Sequence, residues 1–276
     1  MHNYKTYSIN TKQKYLNNSP PRLAFISGAG SGLGKELAFQ LAKRKVPLLL
    51  SSKDPQKLQS TKEKLQTMTS VMIYPADLSD PRDLEALLKV IKSEAPDLII
   101  NNAGLGLYGD ILSFSLEDQM NILKINVDAL VQISIESARI LKEKKEPGVI
   151  MNISSAASFF TYPSFTLYAA SKQFVKQFSL SFDEELSPYK IRVLTCLLGR
   201  FHSEFRYNAS SHKSCSADSW DRMSLTKTAE NILVQIEKKK NYQVIDWRYK
   251  LLCGVAKLAP RRWLATQLKK GVEPYC

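Results

Sequence analysis

The sequence predicts an α/β fold: a doubly wound parallel sheet in a three-layer α/β/α single domain, followed by a basic amphipathic C-terminal extension. Three observations predict it. Short apolar runs alternate with stretches of helical spacing. The runs are apolar throughout rather than at every second residue, as strands covered on both faces require. A glycine-rich turn stands between the first run and the first helical stretch.

The elements follow in order. Residues 22–27 (RLAFIS) predict a buried strand, 27–34 (SGAGSGLG) a turn, and 35–45 a helix. A second strand is expected at 46–52 (VPLLLSS). An amphipathic helix at 55–68 is opened by Pro55, whose fixed φ and missing N–H suit a first helical turn. Residues 71–77 predict a third strand and 81–93 a helix. Residues 97–104 (DLIINNAG) predict a fourth strand ending in a turn, and 115–145 a long helix. Strands at 148–155 (GVIMNISS) and 191–198 (IRVLTCLL) flank a second long helix at 165–187. No repeat or linker divides 22–240, so one domain at 22–245 is expected between a polar arm at 1–21 and the extension at 246–276.

Composition narrows the classes. With 276 residues, 44% hydrophobic and 24% charged, the chain can bury a full core, which excludes disorder. No apolar run is long enough to span a bilayer, and the first twenty residues hold no apolar stretch of a secretory signal. Cys196, Cys215, Cys253 and Cys276 form no CxxC pair, so neither a disulfide framework nor a metal site is expected, and the cytoplasm is the expected compartment. The net charge of +13 sits at the ends. Residues 1–22 carry four bases and no acid, and residues 238–276 ten bases against two acids. A neutral body argues against nucleic acid as a partner and leaves the ends for an anionic lipid surface or an acidic protein.

The chemistry is expected at the strand ends. Ser27, Gly28, Ala29, Gly30, Ser31, Gly32, Leu33 and Gly34 form a strand–turn–helix passage in which glycines let the backbone approach a pyrophosphate and the helix start favours its charge. After the second strand, Ser51-Ser52-Lys53 stands where a reader of an unphosphorylated ribose places an acid, so Lys53 points to a 2′-phosphate and to NADP over NAD. Tyr168 and Lys172 lie one helical turn apart, and a neighbouring cation favours the phenolate. Ser155 ends a central strand, where open α/β sheets bind ligands, although alone it reads equally as a turn residue.

Taken together, these residues resemble the short-chain dehydrogenase/reductase family over about residues 22–245, and hence a Rossmann fold. The resemblance rests on the glycine turn at 27–34 with serine for the usual threonine, Asp77-Leu78, Asn101-Asn102-Ala103-Gly104, Asn126 in KINV, Ser155, and the Tyr168/Lys172 pair. It implies Tyr168 as general acid/base, Lys172 as the cation that lowers the tyrosine pKa and holds the nicotinamide ribose, and Ser155 on the substrate oxygen. Asn126 would sit at a helix irregularity and hold a relay water, Asp77 would contact adenine, Ser203 would meet the carboxamide, and Gly199 would border the cofactor. The family's Pro-Gly after the sixth strand is Leu198-Gly199 here, and Ser203 replaces a threonine.

Residues 199–226 correspond to the family's lid over the substrate, and Phe201, Phe205, Tyr207, Trp220 and Met223 suggest a bulky or lipophilic one, although they read equally as ordinary packing. His202 and His212 read as loop residues without a third metal ligand nearby. In the extension, Trp247, Leu251, Val255 and Leu258 recur at helical spacing, Pro260 interrupts, and Trp263, Leu264 and Leu268 resume. This reads as a membrane-surface helix, a flap over the pocket, or a helix packed on the domain with a solvated basic face.

The leading expectation is an NADP(H)-dependent oxidoreductase acting on a carbonyl or secondary alcohol, of 3-oxoacyl, sphingoid or steroid-like character. A homodimer or homotetramer built on the two long helices is implied. The alternative is a cofactor-binding sensor or scaffold acting through its basic ends, which would have no need of Asn126, Ser155, Tyr168 and Lys172 together.

Overall fold

The computed structural model describes residues 20–199, 205, 209, 223–258 and 260–272. Seven parallel strands run in the order β3-β2-β1-β4-β5-β6-β7. They are β1 Ala24–Ser27, β2 Leu48–Ser52, β3 Val71–Pro75, β4 Leu98–Asn101, β5 Gly148–Ser155, β6 Ile191–Leu198 and β7 Tyr242–Val244. The order reverses direction between β1 and β4, which opens a crevice at the carboxyl ends of these strands.

Continuous apolarity becomes two cores because successive strand residues face opposite sides. Ala24 and Ile26 pack with α1 (Gly32–Lys43), α2 (Pro55–Leu65) and α7 (Leu225–Glu237), while Leu23 and Phe25 pack with α3 (Pro81–Glu94) and α5 (Leu130–Lys144). All four residues of β1 are buried, as are all eight of β5 except Ser155, so the sheet has helices on both faces. The helix starts are written locally. Asp54 accepts from the amides of Gln56 and Lys57, Asp80 from that of Arg82, and each is followed by proline at the first turn.

Several expected boundaries shift. The helix at 115–145 is three segments: α4 (Leu116–Leu123), a π-helical stretch Lys124–Ala129, and α5. Strand β4 stops at Asn101, and Asn102–Gly104 form the turn beyond it. The helix at 55–68 ends at Leu65. Strand β7 and α7 were not expected; β7 has only three residues, too few for a pattern to stand out.

The extension forms α8 (Trp247–Leu258) and α9 (Arg261–Val272). Of the apolar stripe read from the sequence, Trp247 and Leu251 face outward, 70% and 62% exposed. The buried face carries Tyr249 and Cys253, which join the sheet's core. Tertiary packing has thus chosen the side of α8 with fewer aliphatic residues.

Candidate active site

The site begins at the end of β1. The Ser27 hydroxyl accepts from the backbone N–H groups of Asn102 and Ala103, both at 3.0 Å. The Asn102 side-chain amide donates back to the carbonyls of Ser27 (3.0 Å) and Gly28 (3.3 Å). Two turns on adjacent strands are thereby stitched together at the reversal point. Gly28 adopts φ +67°, a left-handed conformation that a side chain would strain. A Cβ on Gly34 would lie 2.2 Å from the Gly28 carbonyl oxygen and 2.6 Å from the Asn102 amide nitrogen. Serine for the usual threonine keeps the hydroxyl that does the stitching.

Ser31 precedes α1 in an extended conformation, and its side chain makes no capping hydrogen bond to the helix. The amides of that first turn therefore face the crevice with the helix dipole behind them. The Ser51 hydroxyl, at the end of β2, is buried without a hydrogen-bond partner yet borders the same crevice. A glycine cradle, an uncapped helix start and an orphaned hydroxyl fit a dinucleotide.

Lys53 is three-quarters exposed and pairs with Asp77, Nζ to Oδ2 at 2.7 Å. Burial works against the Asp77 carboxylate, but hydrogen bonds from Lys53 and Ser79 outweigh it and hold the group below its ordinary range. Asp54, which might have served the ribose, is committed to capping α2.

Across the crevice, Tyr168 and Lys172 project from α6 (Thr166–Leu186). Lys172 is buried, and its ammonium donates to the Ile153 carbonyl at 2.9 Å. Its Nζ lies 5.8 Å from the Tyr168 ring centroid. Ser154 reinforces the approach of α6 to β5 by donating to the Lys172 carbonyl at 2.8 Å. Desolvation pushes the lysine down to about 8, with the neighbouring Cys196 acting the other way.

The expected lowering of the tyrosine is not what the structure gives. Burial pushes the Tyr168 phenol up to about 12, and the effect acting against it is a hydrogen bond with Ser155 rather than the Lys172 charge. Desolvation outweighs a cation whose own hydrogen bond is spent on a carbonyl.

Asn126 lies, fully buried, in the π-helical stretch. Its side chain accepts from the Leu105 amide and donates to the Leu105 carbonyl, both at 2.8 Å, and donates to the Ser171 hydroxyl at 3.0 Å. Ser171 in turn donates to the Tyr168 carbonyl at 2.7 Å. Asn126 thus ties the loop after β4 to the turn of helix that carries the tyrosine. Gly104 packs beside this corner, and a Cβ there would be in ordinary van der Waals contact with Asn126 Oδ1 and Lys172 Nζ.

These groups border one cleft of about 740 Å³. Gly28, Ser31, Gly32, Leu33, Lys53, Asp77, Leu78, Asn102, Ala103, Gly104, Ser155, Tyr168, Lys172 and Gly199 all line it. Ser27, Gly34 and Asn126 stand behind its wall. Asn101 does too, donating to Ser134 (3.0 Å) and Asn152 (2.9 Å) within the core. Gly30 borders a separate shallow depression beside Lys35 and Lys57. Ser203, His202 and His212 lie outside the described residues.

An aromatic file forms the other side; the sequence reading singled out its Phe205, as part of the lid, and Tyr168, but missed Tyr108 and Phe165. Tyr108 stacks on Phe165 at 3.7 Å, Phe165 on Tyr168 at 4.1 Å, and Phe205 tilts against Tyr168 at 5.4 Å between centroids. Phe160 and Tyr162 continue this lining. The signal was present: four aromatic residues crowd the short segment between Ser155 and Tyr168, where they can neither join a strand nor fill a helix face.

Known proteins share the family and the fold. The family model for short chain dehydrogenases matches residues 22–214. The NADP-dependent 3-hydroxy acid dehydrogenase of Schizosaccharomyces pombe is 26% identical over 80% of this chain and 89% of its own. Human 17-beta-hydroxysteroid dehydrogenase type 3 is 31% identical over 62% of this chain and 57% of its own. Among solved structures, a short-chain dehydrogenase from Sphingobium yanoikuyae in complex with NADPH superposes with a TM-score of 0.77, at 25% identity, over 85% of this chain and 93% of that one.

Proposed function

The chain belongs to the short-chain dehydrogenase family, and on that premise we propose that it is an NADP(H)-dependent reductase of lipophilic ketones or aldehydes. That it is an oxidoreductase acting on a carbonyl or the matching alcohol follows from the family; the cofactor preference, substrate class and residue roles are our reading. The observation that carries it is the single cleft holding the glycine cradle at one end and Ser155, Tyr168 and Lys172 at the other.

When bound, NADP(H) supplies or accepts the hydride. Tyr168, held near 12, is a phenol at neutral pH, so it gives its proton to the carbonyl oxygen in the reducing direction. Ser155 holds that oxygen by a hydrogen bond as charge develops on it. Lys172, still largely charged below about 8, places a cation behind the phenol that steadies the phenolate left after transfer. Asn126 positions the helix turn that carries Tyr168. NADP is favoured because, just after β2, Lys53 lines the cleft while the neighbouring Asp54 is taken up in capping α2. The present pair of Lys53 with Asp77 is exposed, so it is worth at most about 1 kcal/mol and gives way readily to a phosphate.

The reading extends to assembly and location. Exposed Leu116, Met120 and Phe174 on α4 and α6 suit a second copy of the chain, forming a homodimer or homotetramer. Exposed Trp247 and Leu251 beside the exposed Lys250 of α8 suit the surface of an anionic membrane. No helix among the described residues is long and apolar enough to cross one.

The test is NADPH consumption against carbonyl substrates ranging from small diketones to steroids and long-chain 3-oxo lipids. Oxidation that Tyr168→Phe loses by about a hundredfold to ten-thousandfold is expected. NADPH binding without turnover on any of them would overturn the catalytic reading.

A further inference from the structure

We infer that α9 is the far wall of the substrate site, where Trp263, Leu264 and Leu268 form an apolar subsite for the extended body of a carbonyl compound whose reacting end lies at Tyr168. The inference rests on the proposed carbonyl chemistry and adds to it a place and a shape for the rest of the substrate.

The first ground is continuity. The cleft that reaches Ser155 and Tyr168 is also lined by Leu252 of α8 and by Trp263, Leu264, Gln267 and Leu268 of α9. The positions 263/267 and 264/268 are one helical turn apart, so these four side chains form a single face turned towards the cleft. The aromatic file of Tyr108, Phe165 and Phe205 lines the same cleft. Both α9 and that file bring mainly apolar surface to it, and Gln267 is the one polar side chain that α9 contributes to the lining.

The second ground is what α9 lacks. None of its described side chains is buried, whereas α8 buries Tyr249 and Cys253. Trp263 is 55% exposed, and Leu264 and Leu268 are partly so. A helix whose apolar face meets no core gains its packing from whatever fills the cleft beside it.

The third ground is the anchor. A Cβ on Gly199 would lie 1.9 Å from the Tyr249 ring, so the ring rests directly on the backbone at the end of β6. That contact sets α8 at the mouth of the catalytic end and carries α9, beyond Pro260, over the cleft. Glycine at 199 is thus required by α8, a role independent of any cofactor contact.

The test is the double variant Leu264→Ala/Leu268→Ala, made in the full chain and again in the Tyr168→Phe background. Two leucines losing most of their buried area correspond to a loss of roughly tenfold to a thousandfold in binding. Binding is read with cis-parinaric acid, a fluorescent long-chain fatty acid, and selectivity as the ratio of kcat/KM for a long-chain ketone to that for a small diketone. Probe affinity falling tenfold or more in both backgrounds, with the selectivity ratio falling alongside, is expected. Unchanged probe affinity in the double variant would overturn the subsite, as would equal losses on long and small ketones. Weakened probe binding with no turnover in any form of the protein would instead leave the subsite standing and overturn the carbonyl chemistry.

Discussion

The two walls of the cleft are built on different principles. The wall formed by β1, α1 and the turn after β4 is shaped by main chain: Gly34 lies against the Gly28 carbonyl, and Ser27 and Asn102 stitch two turns together through backbone groups. The wall formed by α6, the aromatic file, α8 and α9 is shaped by side chains, from Tyr108 and Phe165 to Tyr249 on Gly199 and Trp263 at the rim. A backbone wall fits one ligand geometry and cannot be retuned one side chain at a time. A side-chain wall can be, which explains how one fold serves many substrates.

Paired glycine substitutions try this contrast hardest. Gly34→Ala meets the Gly28 backbone at 2.2 Å and the Asn102 amide at 2.6 Å, so it should lower stability by about 1–3 kcal/mol and weaken NADPH binding at least tenfold. The three atoms nearest a Cβ at Gly199 all belong to the Tyr249 ring, so Gly199→Ala should cost a similar amount of stability but be rescued by Tyr249→Leu, which vacates the space. Thermal melts and NADPH titration of the single and double variants decide it. Failure of Tyr249→Leu to rescue would place a backbone constraint on the second wall too.

A smaller effect separates the walls by pH. Lys172 is pushed down to about 8 from an ordinary 10.5, so between those values the folded chain binds fewer protons than the unfolded one. The stability difference between wild type and Lys172→Met should therefore shift in favour of wild type as pH rises from about 8 to 10.5, and be flat below 8. Carbonyl reduction should fall above about pH 8 with loss of the ammonium, because Tyr168, near 12, stays protonated throughout. A reduction limb unaffected by pH between about 7 and 10 would remove Lys172 from this account.

The smallest effect is expected at the rim of the backbone wall. Lys53→Ala removes an exposed pair, so stability should move by less than about 1 kcal/mol, while the preference for NADPH over NADH should fall several-fold. Titrations of both cofactors measure it; an unchanged preference would reassign the 2′-phosphate.

The same contrast explains what could be read from the chain. The backbone wall was legible residue by residue, because a glycine at 28 or 34 and an Asn-Asn-Ala-Gly turn carry their geometry in local sequence. Ser155, Tyr168 and Lys172 were legible through their spacing on one strand and one helix. The side-chain wall was not: whether α8 turns Trp247 and Leu251 or Tyr249 and Cys253 inward depends on a partner, Gly199, about fifty residues away. The phenol's upward shift was likewise hidden, because burial is a property of the assembled fold. The helix at 115–145 had a continuous pattern, and its π-helical stretch shows only through the hydrogen bonds that Asn126 makes.

The central claim, that one cleft joins a dinucleotide wall to a Tyr168-centred substrate wall, is tested most directly by following deuterium from NADPH labelled at the nicotinamide C4. Wild type should deliver the label to the carbinol carbon of a long-chain ketone in a single turnover, and Tyr168→Phe should bind the labelled cofactor equally well yet transfer it at least a hundredfold more slowly. Label transfer at the same rate in Tyr168→Phe, or tight NADPH binding by wild type with no transfer, would contradict it.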